Sequence, residues 1–251
     1  LFLKEVVKGD QKSVTGKIKY IEPVTADKIA DVMKVTIDFD EDNLTENTVH
    51  LDRAFSGYYA MNIQPFMHLI QGKEARNDLV DSFVESATPE FEIKSRKLIN
   101  DDAELFGVKP LQVIVDFTTE GFVEKAGRKY LFKLGDLIGQ QLEMYQEKER
   151  VLPLEGQFHR SYYRTLTLHI PKGYKITNLE DIIIDNSYVK DGKELFSFKS
   201  SYQLKGNTLT VTADEHYREN NIQVAMYEEY RTVINSAADF NKIVLLLEPS
   251  K

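Results

Sequence analysis

Alternation of apolar and polar residues with a period of two recurs along most of this chain, and it constrains the fold more than any other feature. Met33, Val35, Ile37 and Phe39 alternate with Lys34, Thr36 and Asp38. Successive side chains of a strand point to opposite faces, so the spacing predicts one apolar face and one wet face. Leu111, Val113, Val115 and Phe117 repeat the pattern, with Ile114 marking partial cover on the second face. Leu166, Leu168 and Ile170 alternate with Thr165, Thr167 and His169, and Leu209 and Val211 with Thr208, Thr210 and Thr212. One wet face per strand is the habit of antiparallel sheets, whereas parallel strands read as continuous apolar runs.

The turn chemistry agrees. Lys205-Gly206-Asn207 separates Tyr202–Leu204 from the Thr208–Thr212 strand, which predicts a tight hairpin with Gly or Asn supplying a positive φ. Lys190-Asp191-Gly192-Lys193 and Pro171-Lys172-Gly173-Tyr174 punctuate neighbouring strands in the same way.

One segment departs from the pattern. Between residues 60 and 86 the apolar positions Met67, Ile70, Leu79, Val80, Phe83 and Val84 fall at helical spacing. Pro65 suits the first turn of one helix, and Gly72 can end it before a second runs from Lys73 to Ser86. Near the C-terminus, Arg231 and Asp239 flank the small residues Asn235-Ser236-Ala237-Ala238, which read as a turn. Ile243–Leu247 then reads as a strand apolar on both faces, suited to the middle of a sheet.

The expected architecture is a mainly β, Greek-key-like antiparallel sandwich with a helical insert at residues 60–86. Two subdomains are expected, residues 1–125 with the insert and residues 126–251 as a β-sandwich. The division rests on Thr118–Arg128, where Gly121 and Gly127 bracket a charged turn, and a hairpin loop would look the same.

Composition narrows the function. With 32 Lys and Arg against 40 Asp and Glu the formal charge is −8, and no stretch concentrates cations, so nucleic acid is not an expected partner. The absence of Cys excludes disulfides, thiolate metal sites and thiol nucleophiles, without deciding the compartment. No apolar run approaches the roughly 20 residues that span a bilayer, so no transmembrane segment is expected. The opening Leu1-Phe2-Leu3-Lys4 lacks an initiator Met and the layout of a signal peptide, as expected of a processed product or a piece of a longer one.

Each candidate site has a plainer reading. Asp38, Asp40 and Asp42 alternate as at the start of a calcium loop, yet Asn43 stands where the turn wants Gly and Val49 where the bidentate Glu belongs. An acidic hairpin turn explains them without metal. His50, His68, His159, His169 and His216 show no zinc-pair spacing. No Ser lies in a G-x-S-x-G elbow, and sequence alone cannot nominate one pair among 40 carboxylates. No catalytic residue, metal or cofactor is expected. The densest aromatic groups, Phe158 with Tyr162 and Tyr163, and Tyr217 with Tyr227 and Tyr230, offer the candidate binding residues Tyr162, Tyr163, Tyr227 and Tyr230. Strand aromatics more often fill cores or pair across strands.

Two stretches carry a resemblance. One is Tyr145-Gln-Glu-Lys-Glu-Arg-Val-Leu-Pro153 followed by Leu166-Thr-Leu-His-Ile-Pro-Lys-Gly-Tyr174; the other is Tyr227-Glu-Glu-Tyr-Arg-Thr-Val-Ile-Asn-Ser-Ala-Ala-Asp-Phe-Asn-Lys242. Together they resemble the β-rich C-terminal domain of unknown function in large exported bacterial proteins with a transglutaminase-like core. Gly57-Tyr-Tyr-Ala60 and Arg76 fit more loosely, and the likeness is strong from about Ala126 onward. That core uses Cys, His and Asp, and this chain has no Cys, so no catalytic position carries over. The resemblance implies a periplasmic or cell-envelope location and a non-catalytic structural or recognition role beside a transglutaminase-like or papain-like core. The rival expectations are a free-standing glycan- or peptide-binding module, and a hydrolase with an unrecognised carboxylate site. An exposed aromatic strip would favour the glycan reading, and two carboxylates converging in a pocket with apolar walls the hydrolase.

Overall fold

The computed structural model describes residues 2–8, 11–18, 20–145 and 148–250. Strand outweighs helix, 44% against 22%, and the sheets are mainly antiparallel. Strands β1 (Phe2–Lys8) and β2 (Gln11–Lys17) form a hairpin, followed by β3 (Ala30–Phe39) and β4 (Asn47–Phe55). Helix α1 (Lys73–Glu85) precedes β5 (Glu92–Ile99), β6 (Leu111–Thr119), β7 (Val123–Ala126) and β8 (Lys129–Phe132). Then come β9 (Leu154–Glu155), β10 (Arg160–His169), β11 (Tyr174–Ile176), β12 (Ile184–Lys190), β13 (Lys193–Lys205) and β14 (Thr208–Tyr217). Strand β15 (Asn221–Ile222), helix α2 (Tyr227–Asn241) and β16 (Leu245–Pro249) complete the order.

The main sheet has eight strands in the order β12-β13-β14-β10-β3-β4-β6-β5. Its pairs are antiparallel except β3 with β10, which run parallel. The alternation sorts its residues by face. Val115, Leu51, Val35, Leu166 and Val211 stand in register across five strands, and each is buried. Burying one such aliphatic side chain is worth about 1.5–3 kcal/mol.

A second layer covers that face. A four-stranded sheet, β11-β16-β8-β7, approaches through Phe132, whose ring lies 5.6 Å from that of Phe39. Helix α2 lays Phe240 on Phe198 at 5.8 Å and Tyr230 on Phe196 at 5.1 Å. Helix α1 contributes Phe83, 5.2 Å from Phe55. As its double-faced apolar run predicts, β16 lies inside its sheet, between β11 and β8.

The hairpins form where the turn residues place them. Asp191 and Gly192 adopt φ of 51° and 73° between β12 and β13, and Gly206 adopts 58° between β13 and β14. The insert contains α1 where its second helix is expected, but in place of the first it has only a 3₁₀ turn at Gln64–Phe66, with Pro65 in its first turn; another 3₁₀ turn, Gly57–Ala60, leads into it. The reading of Asn235–Ala238 as a turn is overturned, because these residues lie inside α2. Tyr227, Tyr230, Val233, Ile234, Ala237 and Phe240 are buried at spacings of three and four, the stripe of a helix on a core. The small Ser236, Ala237 and Ala238 let the helix sit close. Its C-terminal end rests on a 3₁₀ turn at Leu134–Ile138, where a Cβ on Gly135 would lie 2.1 Å from the Asn241 carbonyl oxygen. Position 125/126 falls within the β7–β8 hairpin, and strands from both sides of it share the main sheet through the β3–β10 pair.

Candidate binding site

Continuing each strand's alternation beyond its apolar run brings charged residues onto the core face. Arg164, Tyr162 and Arg160 share the phase of Leu166 and Leu168, and Glu215 and Tyr217 that of Val211 and Ala213. Asp31 shares the phase of Met33 and Val35, and Arg53 that of Val49 and Leu51. Register gathers them. Met33 stands between Arg53 and Arg164, and in the next row Tyr162 stands between Asp31 and Glu215.

Asp31 is only 2% exposed and is the hub of the cluster. Arg53 grips it with two bonds, Nε to Oδ1 at 3.0 Å and Nη2 to Oδ2 at 2.7 Å. Arg164 donates from Nη2 to Oδ2 at 2.8 Å and from Nη1 to the Asp31 carbonyl at 2.7 Å. Burial opposes ionisation of Asp31, but the guanidiniums of Arg164 and Arg53 outweigh it and hold the carboxyl below the usual aspartate range. Glu215, 8% exposed, goes the other way: burial raises its pKa despite the Tyr217 hydroxyl that donates to it and the nearby Arg160 and Arg164.

Arg160 is the unbalanced member. Its guanidinium lies 4.2 Å from the centre of the Tyr217 ring and donates to the Tyr230 hydroxyl at 3.3 Å. Both Arg53 and Arg164 pair with Asp31, whereas among the described residues no carboxylate pairs with Arg160. Three guanidiniums against ionised Asp31 and neutral Glu215 leave two net positive charges, and ionising Glu215 leaves one.

These side chains open into a cavity of about 540 Å³. Its floor is Asp31, Arg53, Arg160, Tyr162, Arg164 and Glu215; its walls include Ile138, Leu142, Ile234 and Ala237. The rim, Gly139–Leu142, is fixed from α2. Asn241 donates to the carbonyls of Gly135 and Gly139 at 2.7 and 3.1 Å, and Asn235 exchanges bonds with the Met144 backbone at 2.8 and 3.2 Å. Lys242 pairs with Glu143. Behind Tyr162 lies the Tyr59 ring at 5.4 Å, whose buried hydroxyl makes no well-formed hydrogen bond among the described residues. The arrangement suits an anion: forked donors are already oriented, and a partly buried floor strengthens each contact.

The aromatics singled out in the sequence divide. Tyr162 lines the cavity, and Tyr230, 5% exposed, bonds Arg160 from α2. Tyr163 faces the opposite side of the sheet, with its ring 5.3 Å from His216. Tyr227 is 4% exposed beneath the Arg150 guanidinium at 4.9 Å. Sequence reasoning missed Asp31, Arg53, Arg160, Arg164 and Glu215.

The remaining candidates resolve into local structure. The Asp40 carboxylate accepts from the backbone N–H groups of Asp42 and Asn43, each at 2.8 Å, which caps the β3–β4 turn. Asp38 pairs with His169 and Asp116 with His50, both at 2.6 Å on the wet face. Among the described residues no cluster of three His, Asp or Glu could hold a metal ion. A Ser–His contact exists, Ser161 with His216 Nδ1 at 2.9 Å, but Ser161 is fully buried.

No curated protein and no solved structure matches the chain. Residues 129–247 match a family model described as Domain of Unknown Function with solved-structure structure (DUF3858). That region supplies Arg160, Arg164 and Glu215 to the cavity, while Asp31 and Arg53 precede it. The chain thus contains a DUF3858 domain from β8 into β16.

Proposed function

We propose that this chain is a non-catalytic recognition module whose binding site is the arginine-lined cavity, and that it accompanies a transglutaminase-like core in an exported, periplasmic or envelope-associated bacterial protein. The observation that carries the binding reading is Arg160, a guanidinium with no carboxylate partner among the described residues, at a cavity of about 540 Å³. Cavities of roughly 300–1,000 Å³ with a few convergent polar groups are the usual size for small ligands. The association with a core and the location rest on the resemblance of Tyr145–Pro153, Leu166–Tyr174 and Tyr227–Lys242 alone; the domain match names neither.

One observation favours a hydrolase. Asp31 and Glu215 line the same cavity with pKa values pushed in opposite directions, as in acid–base pairs. Against it, guanidiniums hold both oxygens of Asp31 and keep its pKa low, which makes it a poor base to activate water.

Two measurements test the reading. A ligand that binds only the folded state raises the melting temperature. A panel of small organic and inorganic anions should therefore stabilise the wild type and leave Arg160→Ala unmoved; no shift with any member refutes the binding site. The purified chain should neither crosslink casein nor cleave a peptide library, and turnover that vanishes in Glu215→Gln would establish the hydrolase instead. Fractionating cells that carry the parental reading frame checks the location, and a Cys-bearing core encoded in that frame checks the partner.

A further inference from the structure

We infer that the cavity recognises the α-carboxylate of a peptide end whose last side chain is small and apolar, an assignment that rests on the cavity being the binding site. The charge comes first. The floor carries two net positive charges when Glu215 is neutral and one when it is ionised, so it attracts an anion in both states and a monoanion balances it in the second. Asp31, and Glu215 once ionised, would repel a second negative charge.

The shape of the donors comes next. A guanidinium presents a planar fork that matches a carboxylate with two parallel bonds. Arg53 and Arg164 already use their forks on Asp31, and they hold the floor rigid. Arg160 gives one bond to Tyr230 and stacks on Tyr217, so it is oriented and retains free donors. It is the residue that meets the ligand.

The walls select what the carboxylate is attached to. Ile138, Leu142, Ile234 and Ala237 offer apolar surface beside the charged floor, enough for a small aliphatic side chain. The Gln141 amide donates to the carbonyls of Ile138 and Gly139, which turns its oxygen into a fixed acceptor for a backbone N–H. An acidic sugar would need an open aromatic platform. Tyr162 is the aromatic residue of the lining, and Arg164 lies over its ring at 5.2 Å while Tyr59 packs on it. A peptide end therefore fits better than a uronic acid.

Glu215 tunes the site. It lies beside Tyr162 in register, near Arg160, Arg164 and Asp31, with the Tyr217 hydroxyl bonded to it and Ile234 and Ala237 of α2 across the cavity. Its neutral form favours a bound anion and its ionised form opposes one.

The test is calorimetric titration of the full chain at fixed salt with N-acetyl-alanyl-alanine, its C-terminal amide, glucuronate and inorganic phosphate. The free acid should bind and the amide should not. Arg160→Ala should weaken binding about tenfold or more, the usual effect of losing a charged hydrogen bond, with Arg160→Lys in between because it lacks the fork. Far-UV circular dichroism of both variants should match the wild type. Glu215→Gln should bind at least as tightly and abolish any fall in affinity with rising pH. Equal binding of acid and amide, or tighter binding of glucuronate or phosphate, overturns the peptide-end assignment while leaving a binding cavity. Absence of binding by every probe, with Arg160→Ala indistinguishable from wild type, removes the cavity as a site altogether.

Discussion

Replacing Asp31 by Ala tests the argument at its centre. Asp31 is 2% exposed and its carboxylate accepts three hydrogen bonds from two guanidiniums, one of them on Arg164, itself only 6% exposed. Removing the carboxylate leaves Arg164 buried and unpaired and costs Arg53 its partner. Breaking a buried pair in this way costs about 3–5 kcal/mol. At roughly 2–4 °C per kcal/mol for a chain of this size, the melting temperature should fall by roughly 6–20 °C. Asp31→Asn should fall between, keeping an acceptor and losing the charge. Asp31→Ala combined with Arg164→Met should recover much of the loss, because the unpaired charge goes too. The pH dependence has a definite sign. Asp31 has a lowered pKa when folded, so its contribution is present above the ordinary aspartate value of 3.8 and disappears as pH falls through the lower folded value. The gap between wild type and Asp31→Ala should therefore close in acid. Urea melts followed by circular dichroism measure all of this. A loss below about 1 kcal/mol for Asp31→Ala, the scale of an exposed ion pair, would refute the reasoning, as would a double variant that loses the sum of the singles.

Other expectations are more local. Glu194 is opposed by burial, yet bonds from Lys199, Arg218 and Ser197 bring its pKa down to about 2. The stability it contributes is complete above its ordinary value of 4.5 and lost as pH falls towards 2; Glu194→Gln should remove that part of the acid slope in melts taken across this range. Tyr59→Phe removes a buried hydroxyl that makes no well-formed hydrogen bond among the described residues and should be neutral or stabilise by about 1 kcal/mol in the same melts. Gly135→Ala forces a Cβ against the Asn241 backbone and should destabilise by about 1–3 kcal/mol or more, the cost of overpacking, with Gly156→Ala as a comparison because its φ is not positive and nothing lies within 3.4 Å of a Cβ there.

The residues that were easy to read are those whose environment is set by near neighbours. The run Met33–Phe39 alternates without interruption and Leu111–Phe117 with only Ile114 out of phase, and Gly206 and Gly192 sit where hairpins need a positive φ. Helix α2 was harder because Asn235 and Ser236 are poor helix formers and readily bond local backbone, so a run of small polar residues reads as a turn. The signal was nevertheless present in the spacing of Tyr227, Tyr230, Ile234, Ala237 and Phe240. The site was harder still. Each of its charged residues stands in the apolar phase of its own strand, a feature visible when Leu168–Leu166 is extended back to Arg164 and Arg160. Seeing that they meet requires pairing β3 with β10 in parallel, across about 130 positions of sequence, and no local pattern specifies that register.

That pairing also explains why the family's limits and the sheet's limits differ. The DUF3858 match begins at residue 129, close to the division expected at 125/126, and it contains β10 with both of its cavity arginines. Yet β10 has β3 on one side and β14 on the other, and Asp31, the carboxylate that neutralises Arg164, belongs to β3. Residues 129–247 alone would carry Arg164 on an open strand edge with its counter-ion missing, and the cavity floor would lose both Asp31 and Arg53. Unpaired edges invite association and unpaired buried charges destabilise. The segment before residue 129 therefore completes the charge balance of the domain that follows it, and the cavity exists only where the two are joined.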